Sequence, residues 1–286
     1  MKRNGWMNLV LGGVLVLGAG TAKAQGPRGG HPGPFGGPME LMGFEGMHGG
    51  KLVKGAPFSG TTTSTTQQTL QDGSSINRTA NGAVYRDSEG RSRREVTFTG
   101  VGPLATTGGS HKMVAILDPV AGAHYMLNPD KKIAHKMTLG AKGGAAGTAD
   151  RAQAFEQKMQ ARQQQEEASG VLKVESLGTQ MVNGVNAQGT RTTHTIAAGE
   201  IGNSAAIQIV SERWYSPDLQ TVVKSTRTDP RFGTTTFSLT NIQKAEPAAT
   251  LFAVPADYTV KEGEPGFGGH HHGGPAAGVV PPPPAN

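Results

Sequence analysis

The chain has 286 residues and no cysteine. That absence excludes disulfide frameworks, thiolate zinc sites, cysteine nucleophiles and lipid anchors built on cysteine. Aromatic residues make up only 5%, so stacking surfaces for nucleic-acid bases have little material. Charge of one sign is also scarce. The 27 lysines and arginines against 21 acids give a formal +6, but Lys2, Arg3 and Lys23 fall in the first 24 residues, leaving 24 against 21. So small an excess does not predict nucleic acid or an anionic membrane as partner. After residue 24 no stretch approaches the ~18 consecutive apolar residues of a membrane-spanning helix.

Catalytic motifs are missing as well. There is no Walker loop, no dinucleotide fingerprint after a strand and no His-Glu-x-x-His. Gly202-Asn203-Ser204-Ala205-Ala206 half-matches a nucleophile elbow but precedes a strand instead of joining a strand to a helix. Asp118, Asp218 and Asp229 stand beside prolines, where carboxylates cap turn backbone. No enzyme is expected.

What is present begins with a leader. Lys2 and Arg3 give a positive start, Leu9–Gly20 is a short apolar run, and Ala22-Lys23-Ala24 offers small residues at −3 and −1. These are the three parts of a secretory signal, so residues 1–24 are expected to be removed, with the rest exported to the periplasm or beyond. Residues 25–50 are rich in Gly, Pro and Met, and 263–286 carry His270-His271-His272 and Pro281–Pro284. Such compositions bury too little apolar surface to offset backbone ordering, and both segments are expected to be disordered.

Residues 51–262 read as hairpins. Strands are expected at Ala56–Leu70, Ser75–Arg86, Arg91–Thr99, Lys112–Leu117, Ala123–Asn128 and Lys131–Leu139, then at Leu172–Val182, Val185–Ile196, Ala206–Tyr215, Gln220–Thr228 and Thr234–Ile242. Asn183-Gly184 is the strongest turn signal. One helix is expected at 149–169, with Thr148 as cap, Gly170 just past the end, and a last turn frayed by Glu166 and Glu167. Its apolar stripe, Ala152, Phe155 and Met159, suits a helix lying across a sheet or linking two half-sheets. The fold class is therefore mainly β: one curved antiparallel sheet, half-barrel or barrel-like, with a helix across it.

Val84–Arg91 with Arg93-Arg94-Glu95, Asp118–Gly122, Glu212–Leu219 and Leu251–Tyr258 resemble segments of a family of uncharacterised secreted bacterial proteins. The last segment is also similar to the closing motif of periplasmic lipoprotein-carrier half-barrels. The resemblance spans roughly 51–262 and implies location and fold; carriers of that kind hold acyl chains in an apolar concavity. On its own chemistry, Leu251, Phe252 and Val254 can dock on the sheet edge, and Pro255 stops the ladder beyond them.

Two constellations could carry chemistry. With a two-residue loop at Pro129-Asp130, His124 lies directly opposite His135, and Met126 opposite Ile133. A four-residue loop at Pro119–Gly122 then places Leu117 opposite His124 and brings Met113 to the same face. His124 and His135 with Met113, Met126 and Met137 form a soft set suited to copper; ordinary core packing of the same residues is the plainer reading. Arg86, Arg91, Arg93 and Arg94 make a basic hairpin tip that could grip an anion or sit in local ion pairs. No cofactor other than copper is suggested. The expected function is non-enzymatic binding of a hydrophobic or amphipathic ligand, or of a cell-envelope partner, on the curved sheet. A periplasmic copper-handling protein and an extracellular structural or adhesive module are the alternatives.

Overall fold

A computed structural model of the chain describes residues 52–99, 109–139 and 145–263. The expected leader 1–24, the segment 25–50 and all but the first residue of 263–286 lie outside the described residues. The elements in chain order are β1 (Phe58–Thr69), β2 (Ser75–Arg86), β3 (Ser92–Thr99), β4 (Ser110–Asp118), β5 (Ala123–Asn128), β6 (Ile133–Thr138), α1 (Ala145–Ala168), β7 (Leu172–Val182), β8 (Val185–Ile196), β9 (Ile207–Ser216), β10 (Thr221–Asp229), β11 (Gly233–Gln243), a 3-10 turn (Ala249–Phe252) and β12 (Thr259–Glu262).

Twelve strands form one open sheet in the order β12-β6-β5-β4-β3-β2-β1-β11-β10-β9-β8-β7. It consists of two antiparallel meanders, β1–β6 and β7–β11, joined where β1 pairs antiparallel with β11. Helix α1 links the meanders, and its main sheet contact is β7. It begins at Ala145, so Thr148 lies inside it and does not cap it, while Gly170 stands just past the end with φ 75°. The last turn is held by Arg162–Glu166 at 2.7 Å and Gln163–Glu167 at 2.7 Å, side-chain pairs that offset the unfavourable dipole end.

β12 corrects the purely antiparallel plan: it pairs parallel with β6, Val260 beside Ala134 and Glu262 beside Lys136. The chain leaves β11 in the middle of the sheet and crosses one face. It arrives at the outer edge running in the same direction as β6. Pro255 therefore does not end the ladder; it precedes by four residues a short strand that covers the edge. All four β12 residues are exposed, so they lack the alternation by which strands announce themselves.

Two bulges and a hairpin tip curl the sheet. Pairing shifts register between Ser59 and Thr61 on β1, opposite Asn241 at φ 51°, and between Val222 and Lys224 on β10. Past Lys224↔Ser238 the β10–β11 ladder stops. The Asn183 amide, two strands away, fills the gap by donating to Leu239 O (2.9 Å), Ser238 Oγ (3.1 Å) and Val223 O (3.4 Å). Flat strands would place β8 and β11 ~14 Å apart, so this contact requires the hairpin end to fold back over the sheet. Asn183 (φ 53°) and Gly184 (φ 86°) form the two-residue turn that permits it.

Under that tip lies the larger core: Phe58, Val84, Val182, Val185, Ala187, Trp214, Leu219, Val223 and Leu239. A Cβ on Gly189 would stand 2.6 Å from the Trp214 ring, so this glycine is required for the indole to lie against β8. A second core, Val114, Ile116, Leu127 and Ala134, lies under Tyr125, Val254 and Tyr258. The segment 249–258 thus lies over the face of β3–β5 instead of at the sheet edge, and Phe252 within it is buried.

Candidate functional site

Cross-strand partners share a face, and alternate residues along a strand return to it. Following the registers from β6 to β8 assigns every strand side chain to one of two faces. The latch face, covered by 249–258, carries Arg93, Glu95, Lys112, Lys136, Arg191 and Glu212. The opposite face carries His111, His124, His135 and His194 and is called here the histidine face.

Charges on the latch face neutralise one another. Glu95 binds Arg93 Nε at 2.7 Å and Lys112 Nζ at 2.7 Å, Arg191 binds Glu212 at 2.6 Å, and Lys136 binds Glu262 at 3.2 Å. Burial tends to raise the Glu95 pKa, but the hydrogen bonds from Lys112 and Arg93 outweigh it and hold the carboxyl below its usual range. A cleft at this face, lined by Tyr125, Lys136, Phe252, Val254 and Glu262 among others, belongs to this neutralised surface.

The histidine face differs. Arg78, Arg94, Arg213 and Arg227 stand on it, tied together by the pairs Thr66↔Arg78, Val84↔Arg94, Ser225↔Arg213 and Arg227↔Thr235. Among the described strand residues of this face the one carboxylate is Asp229, at the end of β10, and it binds Arg231 at 2.7 Å. Arg213 is exposed, Arg94 is half-buried, and burial lowers the Arg94 pKa from its ordinary value. Buried Val84, Val96, Ala115 and Leu239 stand between these cations.

The expected basic tip is consumed by structure. Arg91 binds Asp87 at 2.6 Å and stacks over Phe252 at 5.4 Å, and Arg93 Nη1 donates to Leu251 O at 3.0 Å. Arg86 donates to Ala56 O at 3.0 and 2.9 Å and to Leu219 O, with its guanidinium over the Phe58 ring at 4.7 Å. Burial pushes its pKa down to about 10. These groups clamp strand ends; by register Arg86 and Arg94 belong to the histidine face and Arg93 to the latch face. Ser204 sits in an exposed turn organised by Asn203, whose amide donates to Ala197 O (2.8 Å) and Ala205 O (2.7 Å).

The expected histidine–methionine set is only partly as the sequence suggested. Leu117 does stand opposite His124, and Met113 shares that face. But Asn128 pairs with Ile133, so the β5–β6 turn has four residues and not two, and His124 is not opposite His135. The pairs are His124↔Met137 and Met126↔His135. Lys132 explains the longer turn. It takes φ 52° and is pinned by Asp257 (3.1 Å), by the Tyr258 ring (5.0 Å) and by Thr259 N donating to its carbonyl (2.8 Å). A shift of two keeps all four side chains on one face. Met113 lies further along β4, opposite Val96. His124 Nε2 and His135 Nδ1 are buried without hydrogen-bond partners, and burial lowers the His124 pKa. Among the described residues no group of three or more His, Asp or Glu is placed to hold a metal ion.

Sequence reading missed Arg78, Arg213 and Arg227. The signal was available as strand parity, once the registers on both sides of β1 were carried across the whole sheet.

No family model and no curated protein matches this chain. Among solved structures it is similar to a chain of the Pseudomonas aeruginosa MucA/MucB complex, with 13% identity, a TM-score of 0.36 and 73% of this chain covered. The chain spans 59% of that chain's length. LprF from Mycobacterium bovis is similar at 13% identity and a TM-score of 0.30, covering 77% of this chain and 97% of that one. A Vibrio parahaemolyticus domain named for outer membrane lipoprotein sorting is similar at 8% identity and a TM-score of 0.26, over 69% and 89%. These likenesses are distant, and what the sheet can bind is read from its own side chains.

Proposed function

We propose that this is an exported, non-catalytic binding protein that takes an amphipathic molecule carrying an anionic group along the histidine face. The observation that carries the reading is the placement of Arg78, Arg94, Arg213 and Arg227 on one face, among buried apolar residues. A guanidinium offers a planar fork that matches carboxylate and phosphate oxygens, while Val96 and Met113, paired on the same face, offer apolar surface to an alkyl chain. The leader-like start, Lys2-Arg3 and Leu9–Gly20 before Ala22-Lys23-Ala24, supports export.

The test uses the full chain and a fluorescent long-chain fatty acid, with the alcohol of equal length as competitor and the non-fluorescent acid as control. The acid is expected to compete at least ~10-fold better than the alcohol, a difference of about 1.4 kcal/mol. Arg213→Ala, at an exposed position, is expected to reduce that preference without changing the thermal midpoint. Equal competition by acid and alcohol sinks the reading.

A further inference from the structure

We propose that the β5–β6 hairpin holds one Cu(I) ion between His124, His135, Met126 and Met137. The registers set these four side chains at the corners of a rectangle on one face, histidines on one diagonal and methionines on the other. Cross-strand neighbours have β-carbons ~4.5–5.5 Å apart. Neighbours along each strand are ~6.7 Å apart. From those corners two imidazoles and two thioethers can converge on a single ion without moving the backbone. Ala115, opposite Met126 on β4, supplies a small buried floor beside the rectangle.

Two features separate this arrangement from ordinary core packing. Among the described residues, only three buried side-chain polar atoms lack a hydrogen-bond partner, and two of them are His124 Nε2 and His135 Nδ1. A buried imidazole nitrogen without a partner is costly, and a bound cation removes that cost at both nitrogens together. The donor types then choose the ion. Thioether and imidazole without carboxylate select soft Cu(I); Mg, Ca and Mn need oxygen ligands, which this rectangle lacks. The inference stands apart from the anionic-ligand reading, because it uses none of the arginines.

The test is a titration of the full chain with Cu(I), anaerobically, against a chromogenic Cu(I) chelator. Isotope-labelled methionine methyl signals are followed in parallel. One tightly held equivalent is expected, with the Met126 and Met137 methyl resonances moving together. His124→Leu and His135→Leu are each expected to lose that equivalent while keeping the wild-type circular dichroism. Replacing His270, His271 and His272 by alanine is expected to leave it in place. The proposal is overturned if both histidine variants keep the tight equivalent, if the two methyl signals of the wild type stay still at one equivalent, or if Zn(II) displaces Cu(I) on equal terms. The methyl readout needs no variant, so misfolding of His124→Leu or His135→Leu cannot mask a negative result.

Discussion

The two faces of this sheet handle polarity in opposite ways. On the latch face every charge of the Arg93–Glu95–Lys112 and Arg191–Glu212 groups has an opposite charge within 2.8 Å. Among the described residues the three buried side-chain polar atoms without partners, Ser64 Oγ, His124 Nε2 and His135 Nδ1, all belong to the other face. A face whose hydrogen-bonding capacity is met internally is built for stability. A face that sets arginines and histidines among apolar residues, and leaves two imidazole nitrogens and one hydroxyl without partners, is built to meet something else.

The comparison can be broken most severely at the latch. Phe252→Ala should remove the buried ring over β3 and β4 and destabilise the protein by about 3–5 kcal/mol in urea denaturation. The Cu(I) equivalent on the opposite face should survive below the unfolding midpoint. Next in size is Arg86→Met, which leaves the carbonyls of Ala56 and Leu219 without their donor; a loss of about 2 kcal/mol is expected. An unchanged midpoint for this variant would mean that the clamp is ornamental.

Smaller effects sharpen the contrast through pH. The unfolded Glu95 carboxyl takes up a proton near its ordinary value of 4.5, while the folded one, held by Lys112 and Arg93, resists. Its contribution is therefore present above 4.5 and lost as pH falls through the lower folded value. Glu95→Gln should cost about 1 kcal/mol at neutral pH and flatten the stability profile only in that acid window. His124 acts higher on the scale. Below its ordinary 6.5 the unfolded ring binds a proton that the buried ring does not, so stability falls from pH 6.5 downward until the lower folded value is reached. His124→Leu should change little at pH 7 and remove that part of the slope. Chemical denaturation at steps between pH 7 and 3 reads both windows, and a profile in which His124→Leu acts only below 4.5 would contradict the assignment.

Most of the strand plan was legible. Ser75–Arg86, Ala123–Asn128, Leu172–Val182 and Val185–Ile196 begin and end where alternation and turn chemistry place them, because Asn183-Gly184 and Asp118–Gly122 fix their loops by residue type. What could not be read were positions where ordinary residues adopt the left-handed region. Lys132 at 52°, Gln220 at 48° and Asn241 at 51° each lie in a turn or bulge, and Lys132 and Asn241 are held by contacts far along the chain. Lys132 moved the candidate site, because a turn pinned by Asp257 and Tyr258 is invisible to local reading. The arginines of the histidine face were hidden for a related reason. They lie in both meanders, and only the β1–β11 pairing makes them neighbours in one surface.

That pairing, together with the parallel strand at the far edge, sets an order of manufacture. The outer edge of the first strand waits for the eleventh, and that of the sixth waits for Thr259–Glu262, so both edges of the β1–β6 meander stay open until those residues have been made. Closure of the whole sheet therefore comes after the local hairpins and is slow, since the β1–β11 contacts join residues distant in the chain. Such delay fits the export proposed above, in which a chain is threaded before it closes.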